Sequence, residues 1–218
     1  MRRFAPLFGA LLLAAEVSFA SYNLDQVMQE LENREKTMTA IQFDFNQEIN
    51  FIQMNSTTTV VGEALFGQAG KLRITKESPD NQITISDGKT VWVYNPAAKQ
   101  VWEGSAKKWL ESSAMPKGMV PLNNYVTDLR ENFNLSLAAG ASDPAGDVRI
   151  LAEPKNKELG YKIELTVSTE SWLPVKTIYV SDSAEVRTLL SKHQVNPSAP
   201  DSVFRFSAPK GTDVIPFN

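Results

Sequence analysis

The chain of 218 residues has one histidine, His193, and no cysteine. A nucleophilic hydrolase would have to use His193 as base, with Ser191 two positions earlier as the hydroxyl to be activated. The run Arg187-Thr188-Leu189-Leu190-Ser191-Lys192-His193 reads as a strand, and alternation about Lys192 puts Ser191 and His193 on one face. No acid beside them would orient the imidazole, and the Gly-x-Ser-x-Gly elbow of serine hydrolases is missing from the sequence. A lone strand histidine is ordinarily a surface or structural residue. One histidine and no cysteine also leave the usual transition-metal ligand cluster without its donors. The expectation is a protein that is not an enzyme, with no catalytic residues, no metal and no cofactor. The chemistry that remains is the burial of apolar matter.

The charge balance narrows the partners. Lys and Arg total 22 against 25 Asp and Glu, a net charge of -3, with no basic stripe of the kind that binds nucleic acid. The start Met1-Arg2-Arg3, the apolar run Ala5 to Ala15 and the small-residue close Ser18-Phe19-Ala20 read as a secretory signal peptide cleaved near Ala20. The apolar run is too short for a permanent membrane span, which needs about 20 residues. No cysteine follows the small-residue box to carry a lipid anchor. Residues 1–20 are therefore read as a signal peptide and 21–218 as a single exported domain, most simply periplasmic. Without disulfides, its stability rests on its apolar core.

The elements that would position such a core follow in order. Asn23 is placed to cap a helix whose row Leu24, Val27, Met28, Leu31, Glu35 and Met38 repeats at helical spacing. Ile41 to Phe51 alternates apolar and polar as a long strand. Thr57 to Phe66 is a second, with Gly62 marking a bend or bulge. Leu72 and Ile74 belong to a third. Ile83 to Pro96 is a hairpin: Ile83 and Ile85 alternate with Thr84 and Ser86, Asp87-Gly88 supplies the turn, and Thr90 to Tyr94 is β-branched and aromatic throughout. A short strand at Gln100 to Trp102 follows. From Ser105 to Phe133 the spacing becomes helical, broken by Pro116, Gly118 and Pro121, and the row Leu122, Tyr125, Val126, Leu129, Phe133 is clean. Strands resume at 135–138, 148–152, 161–167, 174–180, 186–195 and 203–206. Strands, a helical insert and more strands suggest one large curved sheet, or an incomplete barrel, with a lid across it.

The sequence resembles the LolA family of periplasmic outer-membrane lipoprotein carriers. The resemblance rests on Phe45-Asn46-Gln47 after the first helix, on Ser86-Asp87-Gly88-Lys89-Thr90-Val91-Trp92-Val93-Tyr94-Asn95-Pro96, on Gln100-Val101, and on Phe204-x-Phe206-x-x-Pro209-x-Gly211-x-x-Val214. It implies a mainly β (α+β) fold: an unclosed, curved antiparallel β-barrel with an α-helical lid over an apolar cavity, shared with LolB. It also implies the partners of a monomeric carrier: acylated lipoproteins as cargo, an inner-membrane ABC-type lipoprotein-releasing complex that loads it, and an outer-membrane acceptor of the LolB type. The family's related alternatives are a lipid- or lipoprotein-sensing module of the RseB type and a general amphiphile or glycolipid binder. In one respect the chain departs from the family. Many members carry Arg-Pro in the turn after the second strand, and in the better-known ones that arginine contacts the lid and helps hold the empty cavity closed. Here Gln68 or Ala69 falls at that place, and Arg73 is displaced along the next strand.

Candidate cavity residues come from the apolar faces of these elements. From the first helix they are Leu24, Val27 and Leu31, and from the strands Phe43, Phe45, Leu72, Ile74, Ile83, Ile85, Val91 and Val93. The lid contributes Met115, Met119 and Leu122. Which side of each strand faces the cavity is left open by alternation alone.

Overall fold

The computed structural model describes residues 22–112, 122, 124–142 and 146–217. Residues 1–20, read above as a signal peptide, and Met115 and Met119 lie outside the described residues. Asn23 opens helix α1 (Leu24–Lys36) with a reciprocal cap: its side chain accepts from the Gln26 amide, and the Gln26 side chain accepts from the Asn23 amide, each at 2.9 Å.

Six strands follow: β1 (Ala40–Phe51), β2 (Ser56–Gly67), β3 (Lys71–Ser78), β4 (Gln82–Asp87), β5 (Thr90–Asn95) and β6 (Gln100–Ser105). Helices α2 (Ala106–Ser112) and α3 (Tyr125–Asn132) interrupt them. The chain then forms β7 (Phe133–Ser142), β8 (Val148–Pro154), β9 (Tyr161–Val167), β10 (Pro174–Ser181), β11 (Ala184–Val195) and β12 (Asp213–Pro216). All twelve strands make one sheet in the order β12-β6-β5-β4-β3-β2-β1-β11-β10-β9-β8-β7. The return of β11 to pair with β1 joins two meanders. Edges β12 and β7 are not paired with each other, so the barrel stays open.

The register shifts at four places in the sheet, and two of these irregularities bear on the faces of β1, β2 and β11. One falls between Val61 and Gly62 in the pairing of β2 with β3. A Cβ added at Gly62 would lie 2.1 Å from the Thr75 carbonyl oxygen and 2.8 Å from the Phe45 ring, so glycine is required there. The other falls between Gln42 and Asp44, where β1 pairs with β11. At the end of β11, Asn196 in a left-handed conformation ties the sheet to α1. Its Oδ1 accepts from the amides of Thr39 (2.7 Å) and Ala40 (3.3 Å), and its Nδ2 donates to the Thr37 carbonyl (2.9 Å).

The C-terminal region departs from the expected strand at 203–206. Asp201–Phe204 is instead a 3-10 turn, and the extended segment comes later as β12, parallel to β6. Phe204 is buried, because this segment crosses over the sheet and lies against β3 and β4 without lengthening the ladder.

Candidate functional site: the apolar face beneath the helices

Directly opposed residues in an antiparallel pair point to the same side of the sheet, so the register assigns each side chain to a face. Ile41, Phe66, Leu72, Ser86 and Val91 form one row, and Phe43, Ala64, Ile74, Thr84 and Val93 the next. This is the face that carries the helices. It holds two apolar clusters. In the first, Val27, Met28 and Leu31 of α1 and Tyr125, Val126 and Leu129 of α3 pack on Val148, Ile150, Ile163, Leu165 and Val167 of β8 and β9. Leu24 is half-buried against it. In the second, Met38, Ile41, Phe43, Ala64, Phe66, Leu72, Ile74 and Leu173 pack with Leu122 of the lid, and Phe45, Trp109 and Leu190 border them. The Phe43 and Phe66 rings stack at 5.8 Å.

Of the candidates from the sequence, Leu24, Val27 and Leu31 therefore come to the first cluster. Phe43, Phe45, Leu72, Ile74 and Leu122 come to the second. Val91 and Val93 share the same face by register. Ile83 and Ile85 do not. Ile85 is aligned with Arg73 and Trp92, and Ile83 with Thr75 and Tyr94, on the opposite face. Alternation separates two faces, but it points to the core only if the other face meets water, and here both are covered. Over the second face lies the C-terminal segment, with the Phe206 ring 5.3 Å from Tyr94 and 6.4 Å from Trp92. Arg73 Nη1 reaches the Val203 carbonyl at 3.5 Å, and Lys71 pairs with Asp201 at 2.7 Å. Arg73 thus fastens this segment and is turned away from the lid. The polar partners of the two isoleucines, Thr84 and Ser86, are the residues beneath the helical face, both buried. Ser86 Oγ accepts from the Gly88 amide at 3.0 Å, so its burial leaves no stranded acceptor.

Several members of the face were not among the candidates. Ala64 and Phe66 continue the β2 alternation, while Ile150, Ile163 and Leu165 carry the same alternation in the C-terminal meander. Tyr125, Val126 and Leu129 show the helical spacing noted for the lid.

The bulge in β11 separates the candidate Ser191–His193 pair. Ser191 is aligned with Asp44 on the outer face, and Lys192 takes φ 54°. The extra residue returns His193 to the helical face, where its ring lies 5.7 Å from Phe43. Ser191 and His193 therefore point to opposite sides, contrary to the face shared in simple alternation, and cannot form a nucleophile–base pair. Burial lowers the His193 pKa, partly offset by a hydrogen bond to the Pro174 carbonyl, and Nε2 is buried with no partner among the described residues. Near Ser191 the outer face holds a groove of about 660 Å³, lined by Asp44, Glu63, Glu77 and Lys192 among others. Phe45, Val61 and Leu189 line it as well, and Lys192 and Asp44 are paired across it at 2.6 Å. Among the described residues no group of three or more His, Cys, Asp or Glu is arranged to hold a metal, and no helix is long and apolar enough to cross a membrane.

The arrangement defines a class before any comparison: an open, mainly β sheet that buries apolar surface on one face under short helices. The chain belongs to the LolA family, whose model, described as outer membrane lipoprotein carrier protein LolA, matches residues 36–207. It is 28% identical over 193 residues to an outer-membrane lipoprotein carrier protein of Dechloromonas aromatica, covering 88% of this chain and 86% of the relative. It is 28% identical over 217 residues to another from Azotobacter vinelandii, covering 96% and 98%. Among solved structures, an uncharacterized conserved protein from Thermus thermophilus has the same fold, with TM-score 0.58 and 13% identity over 88% of this chain and 100% of that one.

Proposed function

We propose that this protein receives acylated lipoproteins at the inner membrane, shields their acyl chains on the helix-bearing face, and delivers them across the periplasm to the outer membrane. The observation that carries the reading is the pair of apolar clusters between one sheet face and the helices, in a chain of the lipoprotein-carrier family. The physics is sufficient. Burying a methylene contributes about 0.8 kcal/mol, so ten methylenes supply roughly 8 kcal/mol, enough to keep a lipid chain in water inside a protein. The leader 1–20 directs export and is removed, and 21–218 acts as a monomer. Loading requires an energy-consuming ABC-type complex, because a bilayer already buries the same methylenes and transfer from it to the protein gains little by itself. A LolB-type acceptor completes the transfer.

The test is mass spectrometry of the protein purified from its native periplasm, combined with release of lipoproteins from spheroplasts. Co-purified triacylated lipoproteins and release on adding the protein are expected. Phospholipid or glycolipid alone would replace the reading with a general lipid binder. Protein that binds nothing and releases nothing would overturn the carrier reading and leave a sensor of the RseB type as the alternative to examine.

A further inference from the structure

Glu35 is the charged interruption in the apolar row of α1, placed between Leu31 and Met38. A carboxylate among apolar groups is costly unless hydrogen bonds compensate it. Its two oxygens are occupied: Oε1 accepts from the Tyr125 amide at 2.7 Å and Oε2 from the Val126 amide at 3.1 Å. These are the first two amides of α3, which a helix leaves without partners of its own. The local residue that would ordinarily serve them, Asn124, has φ 70° and makes no capping bond with its side chain. Helix α3 is therefore capped from another helix, by a residue ninety positions away in the chain. The negative charge also suits the positive end of the α3 dipole. The one other polar group that the Tyr125 side chain offers, its hydroxyl, is buried with no partner among the described residues.

The position of this contact matters. Leu31 belongs to the first apolar cluster and Met38 to the second; Tyr125 belongs to the first and Leu122 to the second. Glu35 thus joins α1 to the lid where both pass from one cluster to the other. Apolar contacts slide and adapt. A carboxylate on two amides is either made or broken, and breaking it strands three polar groups in an apolar setting.

We propose that Glu35 is the latch of the lid: a positioning residue that holds α3 down on α1 and sets how readily an acyl chain reaches the apolar face beneath α3. This rests on the carrier reading for its consequence, though not for its geometry. The test uses the full mature chain with Glu35→Ala, Glu35→Gln and, as a control, Glu32→Gln, whose exposed side chain pairs with Lys36. Two quantities are read: amide hydrogen exchange along the chain, and the association rate of a dansyl-labelled fatty acid. With Glu35→Ala, exchange in 125–132 should rise at least tenfold while β8 and β9 keep their protection, and the probe should associate faster by a similar factor. Glu35→Gln, which retains one acceptor oxygen, should fall between. Glu32→Gln should match the wild type. Unchanged exchange in 125–132, or a uniform rise over the whole sheet, would overturn the latch. If Glu35→Ala fails to fold, Glu35→Gln decides by the same two criteria. A wild-type protein that takes up no probe would sink the carrier reading, while the exchange pattern would still decide whether Glu35 holds the lid.

Discussion

At the scale of single residues, backbone irregularities place the polar groups. Lys192 in the left-handed region turns His193 under the helices and leaves Ser191 outside. In the β4–β5 turn, Gly88 at φ 93° accepts a close approach of the Ala69 carbonyl oxygen, which a Cβ would meet at 2.2 Å. The turn is held by Asp87, whose Oδ1 accepts from the Lys89 and Thr90 amides at 2.8 Å each. Burial alone would raise the Asp87 pKa; these hydrogen bonds and the Lys89 charge bring it below the usual value. His193 offers the clearer pH prediction. Its folded pKa is lowered, chiefly by burial, from an ordinary value of 6.5. Between that folded pKa and 6.5 the unfolded chain binds the proton more readily, so stability rises with pH through this window. The contribution is present above about pH 6.5 and is lost as pH falls through the folded pKa. Thermal midpoints measured from pH 7.5 to 5 should fall, and His193→Gln should flatten the decline. Equal slopes in both proteins would show that the imidazole is not penalised by folding.

At the scale of elements, β3 to β5 are covered on both sides, and this is where reading from the sequence met its limit. Alternation in Ile83-Thr84-Ile85-Ser86 showed that two apolar side chains share a face. It did not show that a segment more than a hundred residues later would cover that face. Nothing local in Phe204-Arg205-Phe206 says whether it extends the sheet or crosses it. The two faces make a prediction. Ile74 and Ile85 are both buried, on the helical and the C-terminal side respectively. Replacing either with alanine should destabilise the fold by about 2–5 kcal/mol in urea unfolding. Ile74→Ala should also change the affinity for a fluorescent acyl probe, whereas Ile85→Ala should leave it near the wild-type value. Equal losses of affinity would mean that the ligand does not lie on the helical face.

At the scale of the molecule, an open sheet with separate short helices on one face differs from a closed barrel in how it can enlarge. The edges β12 and β7 need not part, since they are not joined. Helices α1 and α3 meet the sheet through the side chains of the first cluster, so displacing them would leave the strand ladders intact. A ligand held between them binds the folded state alone and should stabilise it. At a free concentration one hundred times Kd the gain is about 2.7 kcal/mol. A long-chain acyl probe should therefore raise the thermal midpoint, and a short-chain analogue with the same head group should do so much less. Equal shifts from both would assign recognition to the head group and remove the apolar face from the mechanism.

The sequence by itself determined the mainly β character, the capped first helix, most strand positions, the helical insert and the likeness to lipoprotein carriers. It did so because periodicity, turn chemistry and capping are local, and the family motifs lie in short, continuous stretches. Tertiary structure alone decided which face of each strand lies beneath the helices, that one inserted residue separates Ser191 from His193, and that Glu35 serves a helix ninety residues away. Those outcomes depend on register accumulated across the sheet and on segments meeting far from each other in the chain, where a shift of one residue reverses every side chain that follows.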